Sequence, residues 1–560
     1  MVQVTLILTL VAAASAASAA SDRYHPAALG PPHVAPRNAA ETDAQYWVAD
    51  AQAALARRAH LAAERAEPAA HARNVLMFLG DGMSVPTLAA ARTLLGQRRG
   101  HSGEEASLSF EEFPTVGLAK TYCINSQVAD SACSATAYLC GVKANQGTLG
   151  VSAAVPRSDC DASLEPSRRV QSIAEWALAD GRDAGIVTTT RVTHASPGGV
   201  FAKVANRNWE SDADVVGAGH DPARCPDIAH QLVHSHPGNQ FKVTPRDTMH
   251  ICRFNTHVTS PIGLQVILGG GRREFITTTT MDEEGSNGTR TDGRNLIEEW
   301  QNDKRTRNVT YNYVWNRAQL MEVFDAPPDY LLGLFENSHL QYNLEADHAT
   351  EPTLAELTEV AIRSLSRNER GFFLFVEGGR IDHAHHDNLP HLALDETIAM
   401  SEAVARAAAL LSEEDSLIVV TADHAHVMAF NGYSARGNDI LGPSRDRDEN
   451  NVPYMTLSYT NGPGFRAHLE PEQISDGWRT HVDVPLGSET HGGDDVAVFA
   501  RGPHHAMFSG LYEQSHVPHR MAYAACMGPG LHACSAAYAP HVSALATLPL
   551  LTIIWRSLYQ

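Results

Sequence analysis

Carboxylates and imidazoles stand directly beside short apolar runs in five separate segments of this sequence. One such segment would carry little weight, because an Asp-His pair is usually a solvated loop, but five together indicate a site. The residues that offer ligand atoms are Asp81; His194 and Ser196; Glu377, Asp382, His383 and His386; Asp423, His424 and His426; and His491. Such side chains bind zinc and magnesium, so metal chemistry is the first function to consider.

The spacing of these residues predicts two zinc sites. Asp382 and His386, at positions i and i+4, face the same way if the chain is helical there. A distant histidine such as His491 completes a zinc site that keeps one position open for water. Asp423 and His424 form a second site with Asp81. Two metals ~4 Å apart suit an in-line displacement at phosphorus.

An all-oxygen set is also present. Glu377, Ser196 and Asp81 suit Mg²⁺ better than Zn²⁺, because magnesium prefers oxygen ligands. His383 and His385 are either spectators or groups that support the ligands.

A serine offers the nucleophile. Ser131 opens a run of small residues, Asp-Ser-Ala-Cys-Ser-Ala, that predicts the start of a helix. Its oxygen would lie at the positive end of the helix dipole, where an anion binds. The alternative is that Ser131 is only an N-cap. Neither a GxSxG elbow nor a P-loop occurs in the sequence to compete with it.

The elements that position these residues are short, continuous apolar runs between helical stretches. They are Val75–Leu79, Ile186–Val187, Val266–Leu268, Phe372–Val376, Leu417–Val420 and Val496–Phe499. Runs apolar on both faces predict buried parallel strands, and the helices between them predict an α/β fold with helices on both faces of a large, mostly parallel sheet. Ligands bind outside the carboxyl ends of such strands, where most of these residues lie.

Other stretches predict helices and an insertion. Residues 40–66 predict a long helix, residues 354–365 a helix capped by Thr353, and residues 394–411 a further helix. Residues 432–489 are rich in glycine, proline and charge, and indicate an insertion of loops and short strands within one large domain of residues 67–534. Length alone would also allow three or four domains.

The composition excludes several classes of protein. The 560 residues carry a formal net charge of −21 without a long basic run, which argues against nucleic acid as a partner. At 43% hydrophobic and 19% charged residues the chain is globular. The 29 histidines are a further hint of metal binding, although most are expected to be solvated.

Both ends carry targeting signals. Residues 1–20 are predicted to be a secretory signal peptide. Small residues followed by an apolar tail predict that residues 535–560 are a GPI signal, with Ser535, Ala536 and Ala537 as attachment candidates. The chain is therefore expected at the outer face of the cell membrane, and the alternative is a secreted protein.

Sequons and cysteines fit that compartment. Asn287 and Asn308 are predicted glycosylation sites. Cys526 and Cys534 are close enough in sequence for a small loop bridge, and Cys160 with Cys225 is the second candidate pair. The sequence leaves four cysteines unassigned, Cys123, Cys133, Cys140 and Cys252.

Taken together, these motifs resemble the metazoan alkaline phosphatases from about Asn74 to Cys534. The motifs that carry the resemblance are FLGDGM, DSA, VTTTRVTHASP, NRNW, VEGGRIDHAHH, VTADHAHV and ETHGG. The resemblance implies hydrolysis of phosphate monoesters by a homodimer, through a phosphoserine on Ser131, with Arg207 binding two phosphate oxygens.

The resemblance also implies a ligand set. One zinc is held by Asp382, His386 and His491, and the other by Asp81, Asp423, His424 and Ser131. Magnesium is held by Asp81, Ser196 and Glu377, with His194, His383 and His426 as near neighbours. A calcium-like site matches Phe335, Glu336 and Glu351, with its remaining carboxylate near Glu283 or Glu284.

Further features of the family map onto this chain. The resemblance makes residues 432–489 an interfacial crown and residues 40–66 an arm that embraces the partner. Cys133 and Ser134 stand where many relatives have Gly-Thr, which is expected to leave a thiol near the site with little other effect.

The sequence argues against two rival classes of function, a related enzyme on the same metal scaffold and a surface receptor. A sulfatase needs a Cys/Ser-x-Pro-x-Arg segment that Ser131 lacks, and a phosphodiesterase would lack the magnesium set and would be crowded by Arg207. A surface receptor with a decayed site is disfavoured because every ligand position is filled.

Overall fold

The computed structural model describes residues 71–239, 263–466 and 478–531. The strands, in chain order, are β1 Asn74–Gly80, β2 Thr115–Lys120, β3 Asp183–Arg191, β4 Val266–Gly270, β5 Tyr311–Val314, β6 Tyr330–Leu334, β7 Phe372–Gly378, β8 Ser416–Ala422, β9 Ala425–His426, β10 Met428–Phe430, β11 Pro443–Arg447, β12 Pro453–Met455, β13 Leu457–Gly462, β14 Val482–Pro485, β15 His491–Gly492, β16 Val496–Arg501 and β17 Gly510–Glu513.

The α-helices of the same residues are α1 Val85–Arg98, α2 Ser131–Cys140, α3 Cys160–Leu164, α4 Ile173–Ala179, α5 Ala195–Gly198, α6 Asp212–Gly217, α7 Ile228–His234, α8 Leu296–Arg307, α9 Arg317–Glu322, α10 Leu354–Leu365, α11 Arg380–His386, α12 Pro390–Leu410 and α13 His516–Ala525. Short 3-10 helices span Ser109–Glu112, Pro166–Arg168, Arg272–Glu274, His505–Phe508 and Gly528–Gly530.

A ten-stranded sheet forms the centre of the molecule, in the order β17-β2-β16-β8-β1-β7-β3-β4-β6-β5. Every residue of β1, β7 and β8 is buried, as expected for strands covered on both faces. All six apolar runs are strands of this sheet, and helices α4, α10 and α12 pack against it. The predicted large, mostly parallel sheet is confirmed.

One strand runs against the prediction of parallel pairing. The run Val496–Phe499 lies in β16, which pairs antiparallel with both β8 and β2. Its reversed direction puts its first residues at the edge where its neighbour β8 ends. His491, which precedes β16, therefore lies on the same side of the sheet as residues that follow the parallel strands.

Helix α10 begins and ends where the sequence predicts. Thr353 is its N-cap and accepts a hydrogen bond from the Glu356 amide, and the Glu356 side chain completes a capping box. Helix α12 begins at Pro390, four residues before the predicted start at Leu394. Proline fits the first turn because its missing N–H has no partner there in any helix.

The chain between β8 and β16 forms small sheets apart from the central one. Strands β10, β13 and β14 form one, β11 and β12 a second, and β9 pairs with β15. The assignment of residues 432–489 as an inserted subdomain stays a prediction. The predicted signal peptide, arm helix and GPI tail lie outside the described residues, within which no helix combines the length and apolar character needed to span a membrane.

Candidate metal and phosphate site

The strand register brings the ends of the central strands to one level. Gly80 at the end of β1 pairs with Gly378 of β7 and with Ala422 of β8. Asp81 and Asp423 therefore leave the sheet side by side. Gly82 is needed for this turn, since its φ is +67° and a Cβ there would lie 2.3 Å from His426 Nε2.

Asp382, His386 and His491 form the first group of ligand atoms. Asp382 and His386 share helix α11, and Asp382 Oδ1 lies 3.4 Å from His386 Nε2 and 3.3 Å from His491 Nε2. The Nδ1 atoms of the two histidines face backbone carbonyls, at 2.6 Å from Glu489 O and 2.8 Å from Ala129 O. The two Nε2 atoms lie 3.0 Å apart. When each Nδ1 carries the proton, both Nε2 lone pairs are free to bind one shared cation.

Asp81, Asp423 and His424 form the second group, beside Ser131. His424 Nε2 lies 3.5 Å from Asp81 Oδ1, 3.2 Å from Asp423 Oδ2 and 3.3 Å from Ser131 Oγ. Burial lowers the pKa of His424 well below its usual range, so the imidazole stays neutral, as a metal ligand must be.

A third group shares Asp81 with the second. Asp81, His194 and Glu377 bring one ligand atom each into a common space, and the buried Ser196 follows His194 at the start of α5. The other oxygen of Glu377 accepts hydrogen bonds from the hydroxyls of Thr188 and Thr190.

The region around Asp81 holds more negative charge than its hydrogen-bond donors can neutralise. Among the residues that the structure describes, neither oxygen of Asp81 has a hydrogen-bond donor, and the buried Glu377 Oε1 has no partner either. Burial, reinforced by Asp423, Asp382 and Glu377, raises the pKa of Asp81 well above its usual range. Burial also raises the pKa of Glu377 to about 7. Cations would partner these oxygens and neutralise the charge, so the residues fit bound metal ions.

Ser131 is the first residue of helix α2 and not its cap. The N-cap is Asp130, whose side chain accepts from the Cys133 amide. This excludes the alternative in which Ser131 serves only as a cap. Its Oγ is left free to face the second group from the positive end of a ten-residue helix.

Asp130 also fixes Arg207, a role the sequence analysis missed. Asp130 Oδ2 accepts from Arg207 Nη1 at 3.1 Å, and Oδ1 accepts from the Gly147 amide. Burial would raise the pKa of Asp130, but Arg207 and the two amides outweigh it and the pKa is lowered. The 18% exposed Arg207 side chain remains open to a ligand. The sequence pointed to Asp130 only through its place in the DSA motif, directly before Ser131.

Glu489 is a second residue that the sequence analysis missed. His426 Nδ1 lies 2.5 Å from the Glu489 carboxylate, and His426 Nε2 lies 2.8 Å from Asp382 Oδ1. Burial would lower the pKa of His426, but the two carboxylates raise it to about 10. His426 thus links a buried carboxylate to Asp382. The signal available in the sequence was the position of Glu489 two residues before His491.

His383 and His385 differ in their surroundings. His383 packs edge-on against His194 and His339, and Nε2 of His194 lies 3.2 Å from Arg207 Nη2. His385 is fully buried; its Nδ1 lies 2.7 Å from the Tyr459 hydroxyl, and its ring packs against that of His426 with 4.8 Å between centroids. The structure therefore places His383 beside His194 of the third group and His385 behind His426.

The residues matched to a calcium-like site are partly brought together. Burial, with Glu336 nearby, raises the pKa of Glu351 to about 8. Glu284 pairs with Arg272, and Glu283 Oε2 lies 3.8 Å from the same guanidinium. Within the described part of the chain, no group of three ligand atoms includes these glutamates.

Four cysteines of the described residues form two disulfide bonds. Cys160 is bonded to Cys225, as predicted, and Cys123 is bonded to Cys133. The prediction of a free thiol at Cys133 is therefore wrong, because Cys133 is part of a disulfide. Cys140 is a buried free thiol. Cys526 is disulfide-bonded, while its predicted partner Cys534 lies outside the described residues.

Comparison with known proteins gives one family. A model of the family described as alkaline phosphatase matches residues 72–244 and 249–527. The membrane-bound alkaline phosphatase of Bombyx mori is 65% identical over 546 residues, which cover 96% of this chain and 95% of that protein. The tissue-nonspecific alkaline phosphatase isozyme of Homo sapiens is 43% identical over 530 residues, covering 91% and 95%.

Solved structures share the fold. The alkaline phosphatase of Thermus thermophilus superposes with a TM-score of 0.56 at 23% identity, covering 84% of this chain and 96% of that one. A His 135 Asp mutant of the TAB5 alkaline phosphatase, with Mg bound in its M3 site, superposes with a TM-score of 0.55 at 19% identity, covering 82% and 99%.

Proposed function

Because the chain belongs to the alkaline phosphatase family, it is a phosphomonoesterase, and we propose that it acts through a phosphoserine on Ser131 at a site for two zinc ions and one magnesium ion. The observation that carries this proposal is the position of Ser131 Oγ. It lies 3.3 Å from His424 Nε2, which in turn lies 3.5 Å from Asp81 Oδ1, a carboxylate oxygen without a hydrogen-bond donor among the described residues.

The three groups are assigned to three ions. Asp382, His386 and His491 would hold one zinc; Asp81, Asp423, His424 and Ser131 would hold the other; Asp81, Ser196 and Glu377 would hold magnesium. When bound, such ions acidify a nearby hydroxyl and neutralise charge on phosphoryl oxygens. Phe335, Glu336 and Glu351 remain the candidates for calcium, for which oxygen ligands are suitable.

The chain's own residues carry out two displacements. The hydroxyl of Ser131 gives up its proton and Oγ attacks phosphorus, the P–O bond to the alcohol breaks, and the leaving alcohol oxygen takes up a proton. Water then loses a proton and attacks the phosphoserine, and the bond to Ser131 Oγ breaks, which returns a proton to Oγ and releases inorganic phosphate. Arg207 presents two N–H donors to two phosphoryl oxygens, which orients phosphorus toward Ser131. Stabilisation of charge is the main contribution, because phosphoryl transfer needs little covalent help.

An Arg207→Lys variant is expected to bind inorganic phosphate at least about tenfold more weakly. Lysine keeps the charge but cannot form the planar fork, so a charged hydrogen bond of about 1.5 kcal/mol or more is lost. Phosphate inhibition constants of the two proteins measure this. A lysine variant with unchanged phosphate affinity would remove Arg207 from the phosphate site.

A Glu489→Gln variant is expected to weaken zinc binding by about 10- to 100-fold, the range for groups that orient metal ligands. Glutamine keeps the size of Glu489 but loses the charge that holds His426 against Asp382. Competition with a zinc chelator measures the affinity. Glu413→Gln, at an exposed acid bonded to Arg501, is the control and should leave zinc affinity unchanged.

Metal analysis combined with labelling tests the proposed function as a whole. The purified protein should contain two zinc ions and one magnesium ion per chain, and labelled phosphate should be recovered on Ser131. An aryl phosphate monoester should be hydrolysed much faster than the corresponding diester. A protein that contains these metals but is labelled on another residue would contradict the mechanism.

We also propose that the chain is anchored at the outer cell surface through Ser535, Ala536 or Ala537. Supporting observations are the membrane-bound relative from Bombyx mori and the exposure of both sequon asparagines, Asn287 and Asn308. A phosphatidylinositol-specific phospholipase C should release activity from cells. Activity found only in the medium would favour the secreted alternative.

A homodimer is the proposed assembly. Val116 and Leu118 of β2 and Leu511 of the edge strand β17 are 49%, 40% and 56% exposed, although all three are large and apolar. A second copy of the chain would cover such a stripe. Sedimentation velocity should give twice the mass of one chain.

A further inference from the structure

The disulfide Cys123–Cys133 closes the loop that ends in the nucleophile helix. Its cysteines are ten residues apart, so the bridge encloses the segment that contains Ala129, Asp130 and Ser131. Both cysteines are buried, at 3% and 1% exposure.

Three consecutive residues of this loop hold three parts of the site. The carbonyl of Ala129 lies 2.8 Å from His491 Nδ1. Asp130 accepts from Arg207, and Ser131 faces His424. A shift of this loop would therefore move the nucleophile, the phosphate-binding arginine and a zinc ligand at the same time.

The rest of the loop lies at the surface. Ile124, Asn125 and Gln127 are exposed, and two hydrogen bonds tie this part to the following segment, from the Ile124 amide to the Ala144 carbonyl and from the Gln146 amide to Asn125 Oδ1. The buried cysteines pack with Ala129 and Ala144 in a small apolar cluster separate from the main core. Segments with exposed side chains and few buried contacts open locally, unless a covalent link restrains them.

We propose that the Cys123–Cys133 disulfide is a positioning element that keeps Ser131, Arg207 and His491 in register. The inference rests on the proposed function, because it assumes that these three residues act together on phosphate. The bridge acts through Ala129 and Asp130, without contact to the substrate.

The test compares the double variant Cys123→Ala/Cys133→Ala with the wild type, both loaded with zinc and magnesium. We expect kcat/KM to fall roughly tenfold, because small misplacements of reacting groups are costly. Inorganic phosphate should bind several-fold more weakly, and labelled phosphoserine should form more slowly on the same Ser131. Phosphate binding measured by equilibrium dialysis is the readout that does not depend on turnover.

Cys140→Ala is the matched control, because Cys140 is a buried free thiol at the far end of the same helix. It should cost stability without changing phosphate affinity. If the wild type is not labelled on Ser131, the proposed function fails. If the wild type is labelled and the double variant equals it in labelling rate and phosphate affinity, only the positioning role fails.

A second measurement does not need the variant to fold. Native wild-type protein treated with iodoacetamide should remain unmodified at Cys123 and Cys133 until a reductant is added, after which phosphate affinity should fall. Alkylation of either cysteine before reduction would overturn the proposal.

Discussion

A Ser131→Ala variant is expected to lose roughly 10⁴-fold or more in kcat for an aryl phosphate, and to incorporate no labelled phosphate. Ser131 Oγ is the oxygen that forms the covalent bond, and its removal leaves the site without a nucleophile. Zinc binding should survive, because the variant keeps Asp81, Asp423 and His424, the three residues of the second group. Incorporation of labelled phosphate after quenching at a fixed time measures the first effect, and elemental analysis of zinc in the same preparation measures the second.

The control for this variant is Ser163→Ala. Ser163 is also a buried helical serine, but its hydroxyl donates only to the Cys160 carbonyl, so the change should leave kcat near the wild-type value. Labelled phosphate on the Ser131→Ala protein would show that another residue is the nucleophile.

An Asp81→Asn variant is expected to lose two kinds of metal at once and to lower kcat/KM by at least about 10³-fold. Asp81 belongs both to the group with Asp423 and His424 and to the group with His194 and Glu377. Asparagine keeps the shape but removes the charge that would attract two cations. Zinc and magnesium per chain, measured after dialysis, report the loss directly.

Two comparisons sharpen the Asp81 result. Glu377→Gln should lower bound magnesium while leaving zinc nearly intact, because Glu377 lies only in the third group. Asp415→Asn should retain all metals, since this carboxylate precedes β8 at the opposite end of the strand and pairs with Arg73. Full magnesium content in the Asp81→Asn protein would contradict a shared ligand.

Local sequence was enough to predict most of the sheet and most of the candidate site. The apolar runs that became β1, β7 and β8 are continuous, and a strand buried on both faces needs that pattern. Asp81 and Asp423 follow two of these runs directly, so their meeting required only that neighbouring strands be parallel. The capping pair Thr353 and Glu356 likewise marked the start of α10.

Other strands gave no comparable signal. In β2 the large apolar residues Val116 and Leu118 are exposed, the reverse of the usual alternation. Strand β5 is a short edge strand with only Val314 buried. In an edge strand, or in a strand whose exposed face carries the large apolar residues, residue type does not follow burial, and the sequence pattern does not identify the strand.

The sequence alone predicted most of the candidate metal ligands, because residues such as Asp81, Asp423 and His424 follow strand ends and carry the required donor atoms, while the phosphate-binding role of Arg207 came only from the family resemblance. Only the tertiary structure decided how they meet. The antiparallel direction of β16 brings His491 to His386. Asp130 holds Arg207, and Glu489 orients His426. Cys123 forms a disulfide with Cys133. These contacts join residues through packing and chain direction, which local periodicity does not encode.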